Sequence, residues 1–317
     1  MLAVLACVSL SGCSKEVPLS FQDNAGYSNF NFTVSESGSA EVAGAFASDI
    51  CVVDGDYISA ELPSIADTTS AALFDLNNRA VLYAKNAFSK VYPASLTKIM
   101  TALVAMENAG LDTVLTASSN VYMSDWDAQR AGLEEGDTMT LDQALHLLLI
   151  HSDNDVAVLI AENLGGSTDG FIQMMNAEAV RLGATKTNFI NSNGLTDQNH
   201  YTSAYDMYLI FNEAMQFQSF QETISMSTYS TVYHDKNGAD KEITVNSTNS
   251  YNMSYITAPA GITVIGGKTG TTTAAGHNLI LYVRDSSGNP YIAIVMKAID
   301  SEACYNTMNE LLELIGS

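Results

Sequence analysis

Basic residues are scarce: 13 lysines and arginines stand against 35 aspartates and glutamates, a formal charge of −22 at pH 7. Phosphate backbones are held by clustered Lys and Arg, so nucleic-acid binding is excluded as a main activity. After the first residues no apolar run reaches 18, which leaves no second membrane-spanning helix. Four cysteines, at 7, 13, 51 and 304, show no framework spacing, so the chain is not a disulfide scaffold and nothing pairs Cys51 with Cys304. The five histidines, at 146, 151, 200, 234 and 277, form no H-E-x-x-H and have no cysteine at ligand spacing. A metal site is therefore not expected. Phosphate-binding loops and dinucleotide fingerprints are missing too, and no cofactor is expected. What is present is 317 residues, 47% of them hydrophobic, ample for a large core.

Residues 2–10 form a short apolar run ending in Leu10-Ser11-Gly12-Cys13, followed by a polar stretch. The run is too short to span a bilayer and ends in small residues, as an export signal does. Leu-Ser-Gly-Cys resembles the lipobox of bacterial lipoproteins, which implies acylation at Cys13 and membrane attachment through that lipid. No Lys or Arg precedes the run, so an earlier start than Met1 is expected. Residues 14–69 are rich in Ser, Gly, Ala, Asn and Asp without periodicity and read as a flexible tether. The division is thus 1–13 signal and lipidation site, 14–69 tether, 70–317 folded domain.

Two short apolar runs, 71–75 and 80–83, flank Asn77-Asn78 and predict a hairpin. Residues 95–108 are apolar on almost every side and predict a buried helix. Thr140 with Gln143 makes a capping box before 141–150, and a second helical run, 155–164, ends in Gly165-Gly166, so two helices meet at Ser152-Asp153-Asn154. Further helices are expected over 169–182 and from Ser203. Strands follow near 262–268, 278–283 and 291–296, and a closing helix over 303–315. Strands at both ends around a helical block predict an α/β (α+β) fold, an antiparallel sheet flanked by helices plus a helical lobe.

Ser95 and Lys98 are one helical turn apart and share a face. A serine needs a base to become a nucleophile, and a lysine serves as one when burial or a second cation destabilises its ammonium. No other lysine in the chain has a serine three residues before it. Ser152-Asp153-Asn154 falls where a hydroxyl and an amide can face a cleft, and Lys268-Thr269-Gly270 closes a strand after Gly266-Gly267, small residues that let another chain lie along its edge. Each motif alone is weak. S-x-x-K, S-D-N and K-T-G together form the signature of class A β-lactamases and penicillin-binding proteins, and all three occur here in that order.

From about residue 71 to 315 the chain resembles the serine-type D-alanyl-D-alanine carboxypeptidases, the low-molecular-mass penicillin-binding proteins. The similarity lies in Tyr92-Pro93-Ala94-Ser95-Leu96-Thr97-Lys98, Asn193-Gly194-Leu195, Asn199-His200-Tyr201-Thr202-Ser203 and Gly267-Lys268-Thr269-Gly270 with Ala275-Gly276. The resemblance implies a DD-peptidase/β-lactamase-like fold and an acyl-enzyme on Ser95, formed from peptidoglycan stem peptides, with β-lactams as inhibitors. Lys98 would take the serine's proton, Ser152 would relay it to the leaving D-alanine, and Asn154 would hold Lys98 and the substrate amide. Lys268 would supply positive potential and Thr269 a hydroxyl for the terminal carboxylate. The N–H groups of Ser95 and Thr271, beside Gly270, would form the oxyanion hole. The implied location is outside the cytoplasm, lipid-anchored to the bacterial membrane. One departure is Tyr205, where some relatives carry an arginine for the carboxylate; Arg284, at a strand end, is expected to face solvent. Two rivals share parts of this pattern. A class A β-lactamase needs a glutamate on the loop after the serine tripeptide, and 186–199 has none. A catalytically silent cell-wall-binding lipoprotein would have little need of a desolvated lysine.

Overall fold

The computed structural model describes residues 49–122 and 128–316. The signal, Cys13 and the greater part of the expected tether lie outside the described residues.

Strands β1 (Ser70–Asp75) and β2 (Ala80–Lys85) form the predicted hairpin. A 3-10 turn (Ala94–Leu96) leads straight into α1 (Thr97–Asn108). After β3 (Val114–Thr116) and β4 (Thr138–Thr140), helix α2 (Leu141–His146) starts at Thr140, whose capping box with Gln143 is fully made. A wider π-type turn (Leu147–His151) joins it to α3 (Asn154–Gly165), and α4 (Thr168–Arg181), α5 (Ala204–Ala214) and α6 (Gln218–Ser225) complete the helical block. The chain then makes β5 (Thr228–His234), β6 (Asp240–Asn246), β7 (Thr263–Thr272), β8 (Gly276–Arg284), β9 (Pro290–Ala298) and α7 (Ser301–Glu313).

Five strands assemble in the order β2-β1-β9-β8-β7, every pair antiparallel, so the sheet is built from the two ends of the domain as the sequence implies. Alternation divides the core. Leu73, Leu281, Ala293 and Val295 face Met308, Leu311 and Leu312 of α7, whereas Phe74, Ile280, Ile292 and Ile294 face the cluster that holds α1 and α5. Cys51 packs in the second of these clusters and Cys304 in the first, on opposite faces of the sheet, and both thiols are free. Among the described residues no helix is long and apolar enough to cross a membrane.

Two features differ from expectation. The tether reading of 14–69 does not hold from Asp49 onward. Cys51 and Val53 are buried, the Cys51 N–H donates to the Tyr208 hydroxyl (2.8 Å), and Tyr57 exchanges two backbone hydrogen bonds with Ala84 on the edge strand β2. Isolated side chains and borrowed hydroxyls, not periodicity, fix this segment, and it covers a sheet edge that would otherwise be open. The second is a further sheet, β3-β4-β5-β6, formed by segments for which no strand was expected.

Candidate active site

Helix α1 is buried from Thr97 to Ala105, which places its first turn in the centre of the molecule. Ser95 sits on the preceding 3-10 turn, beside Ala94, whose φ of 48° lies in the left-handed region. Three neighbours hold that unfavourable turn. A Cβ on Gly194 would lie 1.9 Å from the Ala94 carbonyl oxygen, and one on Gly270 would lie 3.0 Å from the Ser95 nitrogen. Asn278 donates from Nδ2 to the carbonyls of Tyr92 and Pro93, each at 3.0 Å. The glycines therefore let the backbones of two other segments close on the serine. Gly266 serves a different contact. A Cβ there would meet Ile224 of α6 at 2.2 Å, so the space read as room for a second chain is filled by the protein's own helix.

Lys98 is completely buried. Its Nζ lies 3.0 Å from Ser95 Oγ, 2.9 Å from Asn154 Oδ1 and 2.6 Å from the Asn193 carbonyl oxygen. The amide of Asn154 is oriented by a bond from Nδ2 to the Gln129 carbonyl (3.0 Å), which turns Oδ1 toward the lysine. Two of the three partners can only accept. With Lys98 as the free amine, its two N–H bonds go to Asn154 and Asn193, and its lone pair is left facing the one partner that can donate, the Ser95 hydroxyl.

On the opposite wall Ser152 ends the π-type turn with φ 72°, a left-handed conformation that breaks the helical path and turns its hydroxyl into the cleft. Lys268 donates to that hydroxyl (2.9 Å) and to the Thr269 carbonyl (3.0 Å). The Thr269 hydroxyl pairs with that of Thr248 at 2.6 Å. Ser95, Ser152, Asn154, Thr269, Gly270 and Thr271 together line one cleft of about 800 Å³. β7 is the outermost strand of its sheet and runs past Ser95, leaving an edge to which an extended peptide can add.

Burial pushes Lys98 well below the usual lysine range, and the nearby Lys268 ammonium adds to this, while Asp153 and Asp155 oppose it. Burial likewise lowers Lys268 to about 7, against the pull of Asp153. No carboxylate among the described residues lines the cleft. Tyr205 lies elsewhere, its hydroxyl on the Cys51 carbonyl and its ring packed with Phe74, Phe88 and Tyr208. Arg284 is exposed, over the Tyr282 ring. His200 is a buried structural residue: the Ile190 N–H donates to Nδ1 (3.0 Å), which leaves the proton on Nε2, 2.8 Å from Thr97 Oγ1. No three His, Cys, Asp or Glu among the described residues are placed to hold a metal ion.

The residues singled out in the three motifs thus converge, but the sequence did not disclose Thr248, Gln129, Asn278, or the Asn193 carbonyl as a lysine partner. Asn278 carries a faint signal, a polar residue opening an otherwise apolar strand. The others act through a backbone oxygen or a lone hydroxyl, which no local pattern reports.

A serine whose hydroxyl meets a desolvated lysine, between a helical lobe and the free edge of an antiparallel sheet, is the arrangement of active-site-serine penicillin-binding proteins. Solved structures agree: the Streptomyces K15 DD-transpeptidase superimposes with a TM-score of 0.70 at 28% identity, covering 77% of this chain and 95% of that one. The family model for D-alanyl-D-alanine carboxypeptidases, peptidase family S11, matches residues 58–300, and the chain belongs to that family. Similar relatives include the D-alanyl-D-alanine carboxypeptidases DacF of Bacillus subtilis, 36% identical over 58% of this chain and 47% of its own, and DacC of Escherichia coli, 28% identical over 80% and 62%. The chain spans less than two thirds of the length of either.

Proposed function

We propose that the protein removes the terminal D-alanine from peptidoglycan stem peptides through an acyl-enzyme on Ser95. The observation that carries this reading is the hydrogen-bond set of Lys98, which leaves the amine one proton donor, the Ser95 hydroxyl. In the first step Lys98 Nζ takes that proton as Oγ bonds to the carbonyl carbon between the two D-alanines. The negative charge on the carbonyl oxygen is met by the N–H groups of Ser95 and Thr271. As the C–N bond breaks, Ser152 passes the proton from Lys98 to the departing amine, and free D-alanine leaves. Water then attacks the ester, with Lys98 again taking the proton, and Ser95 is restored. Lys268 and the Thr269 hydroxyl, backed by Thr248, receive the substrate's terminal carboxylate, the role that arginine fills in some relatives.

A β-lactam would acylate Ser95 by the same route and leave slowly. The enzyme works outside the cytoplasm, held to the membrane by a lipid on Cys13. The test is the intact mass of the chain from Ser14 after incubation with benzylpenicillin, beside Ser95→Ala, with D-alanine release from a peptide ending in D-Ala-D-Ala measured in parallel. A stable adduct on the parent only, together with D-alanine release, is expected. Antibiotic consumed without an adduct would favour a β-lactamase, and neither adduct nor consumption would favour a silent binding lipoprotein.

A further inference from the structure

Asp153 has no part in the chemistry above, yet it lies between the two residues that hold the two lysines. Its side chain is fully buried. Oδ1 is 2.6 Å from His151 Nδ1, and Oδ2 has no hydrogen-bond partner among the described residues. Asp155, two residues on, makes the contrast: its oxygens accept from the N–H groups of Ala131, Gly132 and Leu133, and so it ties down a loop. A buried carboxylate with an unmatched oxygen is costly unless a charge compensates it. The charged and titratable groups facing Asp153 are Lys98 from α1, Lys268 from β7, His151 from the π-type turn and Asp155 from its own helix.

The two lysines repel, and with both cationic Lys98 has no lone pair for Ser95. Asp153 draws a proton toward both lysines, Asp155 adds to the pull on Lys98, and the repulsion between the two ammoniums is mutual, so the carboxylate supports one proton on the pair without choosing its holder. We infer that Asp153, anchored by His151, is a positioning residue, a buried counter-charge that stabilises the single proton of the lysine pair, carried on Lys268 while Lys98 is the free base. The inference rests on the Ser95–Lys98 reading above. His151 is part-exposed, its side chain at 27%, and so connects the buried carboxylate to solvent.

The experiment is the pH profile of benzylpenicillin acylation, read as a second-order rate by intact mass, for the full chain and for Asp153→Asn. Removing the carboxylate charge lowers the proton affinity of Lys268, so the alkaline limb is expected to move to lower pH by about one unit, the scale on which a nearby opposite charge acts. Asp153→Glu, which restores the charge, is expected to return the limb toward its original position even if the maximum rate stays low. Asp153→Ser is also neutral and carries the same expectation if the asparagine variant does not fold. A rate reduced by the same factor at every pH, with the limb unmoved, would mean that Asp153 only shapes the turn and would overturn the inference. Movement of the limb to higher pH would overturn it as well. A parent that is not acylated at any pH overturns the Ser95 reading, and this inference with it.

Discussion

Replacing Lys98 by arginine separates two ways in which a cation beside a serine can act. If the lysine works as a charge, arginine preserves it; if it works as a base, arginine fails, because a guanidinium does not give up its proton in proteins. Proton transfer by a positioned base is worth about 10²–10⁴ in rate, which is about 3–5 kcal/mol of barrier. Lys98→Arg is therefore expected to lower the second-order acylation rate by about 10²–10⁴ at pH 7, measured as adduct formation with benzylpenicillin. Stability needs its own readout, because the site is fully buried and a larger side chain there costs about 1–3 kcal/mol in overpacking. Lys98→Met is the companion: it conserves volume but leaves Asn154 Oδ1 and the Asn193 carbonyl unpaired, at about 1–3 kcal/mol each, partly offset because no amine is buried. Both variants should melt cooperatively while both lose acylation. An arginine variant acylated within tenfold of the parent would refute the base assignment.

Three further outcomes are expected from the same geometry. Acylation by the anionic antibiotic should decline above about pH 7, where Lys268 loses its proton, and a rate profile from pH 5 to 10 checks this. His200 has a folded pKa of about 4 against 6.5 in the unfolded chain, so its contribution to stability is complete above 6.5 and is lost as pH falls toward 4. At about 1.4 kcal/mol per pH unit the loss approaches about 3 kcal/mol, and His200→Gln should flatten denaturation midpoints over that range. Gly194→Ala would force a Cβ to 1.9 Å from the Ala94 carbonyl at φ 90°, so a loss of at least about 2 kcal/mol in chemical denaturation is expected.

The parts of the fold that could be read in advance are those with periodic or capping chemistry. The hairpin of β1 and β2, the buried α1, the Thr140–Gln143 box and the Ser203 cap on Asp206 each leave a local signature, and each forms. The second sheet is uneven in this respect. β3 and β4 are three residues long, and β4 meets β5 through the single pair Thr138–His234, so tertiary contacts define that half, whereas β5 and β6 alternate in burial around Asn237-Gly238 and carried a hairpin signal that the expected strands left out. Helix α6 starts at Phe217, which makes no side-chain cap, and Cys51 is fixed by tyrosine hydroxyls from α5, 157 residues away in the case of Tyr208. For the site, residue types and their order singled out Ser95, Lys98, Ser152, Asn154 and Lys268, which the fold brings together. What they could not convey was direction, which comes from the left-handed turns at Ala94 and Ser152 and from the glycines that let other backbones close on them.

The same arrangement bears on how long an acyl group stays. Releasing it requires a base for water, and the nearby carboxylates are engaged elsewhere: Asp155 holds three backbone N–H groups and Asp153 is buried against His151. Among the described residues Lys98 is then the one group placed to take a proton in both half-reactions of the proposed mechanism, first from Ser95 and then from water. With the proposed peptide substrate this would suffice, because the amine would carry the first proton away with the departing D-alanine and vacate the space that water needs. With a β-lactam the leaving nitrogen stays bonded to the acyl group through the rest of the ring system, so it is expected to stay in the cleft and occupy that space. A site with one base used twice, and no second carboxylate among the described residues to drive water from another direction, is thus expected to turn over peptides while retaining the antibiotic.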